Sequence, residues 1–125
     1  NGANFAQKLA EDTGFPDGHF DIVTSYIMHH EVPAEISRKI VAEARRVTRP
    51  GGVYYPLDFN SGGTKSPARG MYQRWWDHRW NNEVWSLDYH AMTFSDEIAS
   101  RGFTAAAKPA VALPGFGVRH FIRNA

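Results

Sequence analysis

A mixed α/β fold built on a parallel sheet is predicted by three observations on one stretch, Phe20 to Phe59. Residues Phe20 to Met28 are nearly continuous in β-branched and aromatic side chains, the pattern of a strand buried on both faces. From Pro33 to Arg49 the apolar residues Ile36, Ile40, Val41, Ala44 and Val47 recur at three and four positions, the stripe of an amphipathic helix. Pro50-Gly51-Gly52 then ends the helix and turns the chain into a second apolar run, Gly52 to Phe59. Strand, helix and strand make one βαβ unit, and a helical crossover joins parallel strands. The first strand is expected at the centre of the sheet.

The remaining elements follow in order. Phe5 to Ala10 alternates weakly and predicts a short edge strand. Glu11 to Gly18 is turn-rich, with Asp17-Gly18 as its strongest signal. In the helix, Arg38, Lys39, Glu43 and Arg46 are expected to face water, with Glu35 at the positive end and Arg45, Arg46 and Arg49 at the negative end. The glycine pair after the helix is structural rather than a phosphate loop, because it follows a helix instead of opening one. Pro56 lacks a ladder donor, so its strand either pairs only to Tyr55 or bulges there. Asn60 to Arg69 is rich in Gly, Ser, Thr and Pro and predicts a loop. The segment Met71 to Met92 holds all four Trp residues. Its residues Met71, Trp75 and Leu87 offer one way of packing a helix on the body of the domain. Thr93 or Ser95 caps a helix with Asp96 and Glu97 in its first turn. Arg101-Gly102-Phe103 leads into a strand, and Phe103 to Val111 with Phe116 to Ile122, around Leu113-Pro114-Gly115, predicts a closing hairpin-like pair.

At 125 residues, 42% of them hydrophobic, the chain suffices for one domain with a core and is too short for two. With 14 basic and 13 acidic residues it lacks the concentrated basic face that binds polyanions, so nucleic acid is not an expected partner. There is no cysteine, which excludes disulfides and thiolate chemistry and fits a cytoplasmic setting. No apolar run approaches the ~20 residues that span a bilayer, so no membrane partner is expected.

Asp21 opening an apolar strand, His30-Glu31 just past its end, and the run Glu43-Ala44-Arg45-Arg46-Val47-Thr48-Arg49-Pro50-Gly51-Gly52 entering a strand that closes with Asp58-Phe59 together resemble the middle of a class I S-adenosylmethionine-dependent methyltransferase. Ala10-Glu11-Asp12 and Phe15-Pro16-Asp17-Gly18 with Phe20-Asp21 are similar to the family's segment between the third and fourth strands. Leu9 stands where many members place an aspartate that bonds the adenine amino group. The resemblance implies the later strands and helices of a Rossmann-like sheet, partial, with a three-layer α/β/α tendency. It implies one partial domain over 1–125, with 60–92 as a lid or substrate segment. The family's glycine-rich donor loop lies upstream of these motifs, so the isolated chain is expected to be inactive, its donor S-adenosyl-L-methionine binding once an upstream part is present.

The same resemblance places Ala10, Glu11, Asp12, Ser25 and Tyr26 along the donor and His29, His30 and Glu31 near the methyl group or the acceptor, a small molecule. Methyl transfer needs alignment and, for a hydroxyl or amine acceptor, a base. His29 or His30 is the candidate, having a pKa near neutrality, the alternative being that one of them buttresses the helix after Pro33. Trp75, Trp76 and Trp80 are candidate substrate-stacking residues, the alternative being an aromatic core that pins the segment to the sheet. No metal is expected: His29, His30, Glu31 and Asp58 are mostly adjacent residues whose side chains diverge, without a metal-binding spacing. Asp21 lies at the far end of its strand from this rim and is expected to be structural. A non-catalytic binding or assembly module is the alternative function. If the earlier strands are absent, Phe20 to Met28 presents an unpaired edge, which predicts a homodimer or swapped oligomer.

Overall fold

The computed structural model describes residues 2–59, 71–107 and 116–125. The elements are β1 (Phe20–Tyr26), α1 (Ala34–Val47), β2 (Thr48–Phe59), α2 (Met71–Trp80), α3 (Ser86–Ala91), α4 (Phe94–Ser100), β3 (Phe103–Ala105), β4 (Phe116–Val118) and β5 (Phe121–Arg123). They build one five-stranded sheet in the order β1-β2-β5-β3, with β4 also beside β2. β1 and β2 run parallel, from Phe20 opposite Thr48 to Tyr26 opposite Leu57. β5 is antiparallel to both β2 and β3, which is the closing pair expected after Phe103. The predicted loop Asn60 to Arg69, the strand extension to Val111 and the turn at Leu113-Pro114-Gly115 lie outside the described residues.

The core lies on one face of this sheet. Val41 and Ala44 of α1 pack with Tyr54 of β2, Tyr89 of α3, Phe94 and Ile98 of α4, Phe103 and Phe121. Each is the inward residue of its element, so the 3.6-residue period of α1 meets the two-residue period of the strands. Arg38 of α1 and Glu97 of α4 form an ion pair at 3.0 Å across the two helices. The N–H groups of Asp96 and Glu97 bond the carbonyl of Thr93, the residue that caps α4.

Several expectations are corrected. Phe5 to Ala10 is not a strand: Phe5 is 93% exposed, and an isolated bridge from Leu9 to Asp12 is the pairing there among the described residues. Nor does β1 lie in the centre. It is an edge strand among the described residues, with Ile22 66% and Tyr26 69% exposed on the face opposite Val23 and Ser25. Its apolar sequence is suited to neighbours that the described residues do not provide.

The helix stops at Val47, before Arg49, and Thr48 is already extended while its hydroxyl donates to the Ala44 carbonyl at 2.6 Å. The chain then swings out, since Phe20 faces Thr48 whereas Ile22 faces Val53. Gly51 takes a φ of +74° in that excursion. A Cβ on Gly52 would lie 2.9 Å from the Asp21 carbonyl oxygen and 2.8 Å from that of Arg49. The glycine pair is therefore structural. Asp21 pairs with Arg49 at 2.5 Å, at the end of the sheet away from the rim.

Pro56 follows neither expected course. β2 stays paired with β1 past it, through Ser25 opposite Pro56 and Tyr26 opposite Leu57. On the other side Tyr54 faces Phe121 and Leu57 faces Val118, one continuous register from which the positions facing Tyr55 and Pro56 are missing. The missing donor coincides with the break that separates β4 from β5, so the cost of proline is met by interrupting its antiparallel neighbour.

Glu43 is also corrected. It is buried, at 7% exposure, and its carboxylate accepts from the Thr13 N–H at 2.8 Å, from the Thr13 hydroxyl at 2.5 Å and from two guanidinium nitrogens of Arg46 at 2.8 Å each. The Arg46 hydrogen bonds, helped by those of Thr13 and opposed by burial, hold its pKa down at about 2 from 4.5. A depressed carboxyl stabilises above its unfolded pKa and loses that contribution as pH falls through the folded one. Acidification from pH 4.5 towards 2 should therefore remove about 2–3 kcal/mol. The Glu43→Gln chain, followed by urea unfolding across that range, should start weaker by a similar amount and show a flatter acid limb.

Candidate active site

Three elements converge at the carboxyl ends of β1 and β2. β1 ends at Tyr26, and Ile27 adopts a φ of +47° while its N–H bonds the Leu57 carbonyl at 2.7 Å. A β-branched residue in that region is strained by about 1–3 kcal/mol, and such strain gathers where a chain is bent for a purpose. Here the bend turns Met28, His29 and His30 back over the end of β2. Asp58 meets them there, 2% exposed. Its Oδ2 accepts the N–H of His29 at 2.7 Å and of Met28 at 3.2 Å, while Oδ1 accepts its neighbour Phe59's N–H at 2.7 Å and lies 2.6 Å from His30 Nδ1.

The adjacent histidines occupy different environments. His29 is fully buried with both ring nitrogens engaged: Nδ1 lies 2.9 Å from the Ser37 hydroxyl, and Nε2 lies 2.8 Å from the Tyr54 hydroxyl and 3.1 Å from that of Ser25. Burial, only partly offset by the Asp58 charge, lowers its pKa from 6.5 to about 4. It is therefore a neutral link between β1, α1 and β2 at neutral pH. His30 is 1% exposed and directs Nε2 toward Glu31 and Glu83, each at 3.5 Å. Burial opposes its charge, but the hydrogen bond and charge of Asp58, with Glu83 and Glu31, raise its pKa. Burial likewise opposes ionisation of Asp58, but the hydrogen bond and charge of His30 together with the backbone N–H groups of Phe59 and His29 outweigh it, so that pKa is lowered. The rings of Phe59 and Tyr89 flank His30, at 4.5 and 6.2 Å. The Tyr89 hydroxyl donates to the Phe59 carbonyl at 2.9 Å, which fixes α3 beside the pair.

The residues expected along a donor are only partly assembled. Ala10, Ser25 and Tyr26 line a cleft of about 280 Å³ with Thr13, Met28 and Ile40. Glu11 and Asp12 do not line it. Ligand pockets run to about 300–1,000 Å³, so this cleft lies just below the usual range. Trp75, Trp76 and Trp80 are 50%, 41% and 59% exposed, and with Tyr72 they form a row of tilted ring contacts along α2. Among the described residues α2 turns Asp77 inward, and Leu87 of α3 is 40% exposed while Ser86, Tyr89 and His90 are buried. Glu31 is an exposed neighbour of His30.

Sequence reasoning missed Glu83 and Ser37. Glu83 follows two asparagines between α2 and α3 and carries no periodic signal. The i, i+3 and i+4 spacing that puts Ser37 on the same helical face as Ile40 and Val41 was available.

Two parallel strands joined across α1, with the antiparallel β5 and β3 beside them, make a Rossmann-like α/β sheet. Residues 1–55 match the family model of a methyltransferase domain. The chain is 39% identical over 59 residues to an uncharacterized methyltransferase of Synechocystis sp., an alignment covering 46% of this chain and 27% of that protein. A protein of Bacillus halodurans solved as a candidate methyltransferase superimposes with a TM-score of 0.62 at 25% identity, covering 82% of this chain and 46% of that one. An O-methyltransferase family protein of Burkholderia thailandensis gives 0.68 at 16% identity, over 96% and 35%. The resemblance to class I S-adenosylmethionine-dependent methyltransferases thus holds in sequence over the first strands and in fold over most of the chain. The chain spans about a quarter of the curated relative's length and less than half of these two solved proteins.

Proposed function

We propose that this chain is the acceptor-side part of an enzyme that transfers a methyl group from S-adenosylmethionine to a hydroxyl or amine of a small molecule. The observation that carries the reading is the buried His30–Asp58 pair at the carboxyl rim of the two parallel strands, where ligands of doubly wound sheets sit. The donor supplies an electrophilic methyl group and leaves as a neutral thioether. Ala10, Ser25 and Tyr26 hold one part of it in the cleft, while Glu11 and Asp12 flank that cleft. His30 Nε2 takes the acceptor's proton as the acceptor attacks, and Asp58 fixes the ring and stabilises the imidazolium that forms. His29 is a positioning residue. Glu31 orients the acceptor, and Trp75, Trp76 and Trp80 offer flat faces for it.

Calorimetric titration with S-adenosylmethionine tests the reading. The isolated chain should give no heat, whereas the chain joined to an upstream strand and glycine-rich loop from a related methyltransferase should bind. A folded fusion that stays silent contradicts it.

For the isolated chain we infer self-association through the open edge of β1, where exposed Ile22 and Tyr26 adjoin backbone groups with no strand neighbour on that side among the described residues. Light scattering at micromolar concentration should give a dimer or larger species, and Ile22→Lys, at an exposed position, should give a folded monomer. A monomeric parent chain would overturn the inference.

A further inference from the structure

We propose that His30, Glu31 and Glu83 form a binding site for one divalent cation of the zinc class, with Asp58 as the group that orients the histidine. His30 and Glu31 come from the β1–α1 loop and Glu83 from the α2–α3 connection; each offers one ligand atom, and these atoms lie within 4.8 Å of one another.

Distance favours an ion over a hydrogen bond. At 3.5 Å the two approaches to Nε2 are too long for a charge-assisted hydrogen bond, which settles near 2.7–2.9 Å. An ion about 2.1 Å from each ligand separates tetrahedral neighbours by about 3.4 Å. Nε2 belongs to a side chain only 1% exposed and aimed at these carboxylates, and its partners among the described residues are those two approaches.

Orientation agrees. Nδ1 is held by Asp58 Oδ1 at 2.6 Å, and Asp58 is itself fixed by three backbone N–H groups. Carboxylate, histidine and metal in series is the usual outer arrangement of such sites, and it leaves the Nε2 lone pair to the ion. Charge agrees as well: three carboxylates surround one imidazole, an excess of negative charge even when the ring is protonated. One nitrogen and two carboxylate oxygens suit zinc and neighbouring divalent ions, with the exposed side near Glu31 leaving a coordination position open.

Nε2 holds either the ion or a proton, so the base role proposed above belongs to the metal-free chain and the ion occupies the site when no acceptor is bound. The cation site rests on geometry alone and is tested without donor or acceptor, so its failure leaves the methyl-transfer reading untouched. Metal-stripped chain is titrated with Co²⁺ while visible absorption is recorded, and Zn²⁺ is then added. The expected result is one saturable equivalent with the intense bands of low-coordinate cobalt, abolished by Zn²⁺. His30→Asn should remove the bands, and Asp58→Asn should weaken binding about 10- to 100-fold. Glu83→Gln should weaken it at least as much, while Glu35→Gln, on the exposed face of α1, should leave it unchanged. With circular dichroism showing folded variants, absent bands in the parent chain or bands that survive both His30→Asn and Glu83→Gln would overturn the proposal.

Discussion

Replacing Asp58 by alanine should destabilise the chain by about 3–5 kcal/mol, the range for breaking a buried charged pair by removing one partner. Four groups lose their acceptor at once: the N–H groups of Met28, His29 and Phe59 and the ring of His30. All sit where water does not readily replace the carboxylate, Asp58 being 2% exposed. A domain of this size has about 5–15 kcal/mol in total, so the variant should populate unfolded molecules at room temperature. Asp58→Asn keeps one carbonyl oxygen in place and should cost less, about 1–3 kcal/mol. Urea unfolding of the two variants beside the parent chain checks both values. If alanine costs under 1 kcal/mol, the carboxylate does not organise the rim.

The second large effect is on rate. In the fusion with an upstream strand and glycine-rich loop, His30→Asn should lower kcat for a hydroxyl acceptor by about 10²- to 10⁴-fold, the usual contribution of a positioned general base. Asparagine keeps a donor near the position of Nδ1, so Asp58 retains its partner while Nε2 disappears. Donor affinity and acceptor KM should change little, because His30 is assigned to the proton and not to binding. A variant that loses binding and rate together would show that the ring only shapes the pocket.

Much of this was legible in the residues, and the failures have physical causes. The parallel βαβ unit followed from two apolar runs and one helical stripe, because local periodicity and crossover geometry decide it. The edge position of β1 among the described residues did not follow: strand burial depends on neighbours, and an apolar strand sequence reads the same whether it has one or two. Glu43 was misplaced because position on a helical wheel says nothing of Thr13, thirty residues away, whose two donors draw the carboxylate inward. His29 and His30 are identical in type and adjacent, so their opposite surroundings depend on the bend at Ile27, a residue that gives no turn signal. Glu83 approaches His30 only through tertiary packing.

Comparing His29→Asn with His30→Asn in the same fusion, with methyl-transfer rate expressed per folded molecule, bears most directly on the division between the two rings. His29→Asn should lower stability, having cut the links from Nε2 to Ser25 and Tyr54, and leave the rate within a few-fold of the parent. His30→Asn should keep most of the stability and lose the rate. A reversed pattern, or equal rates in both variants, would contradict the assignment of the chemistry to His30 and Asp58.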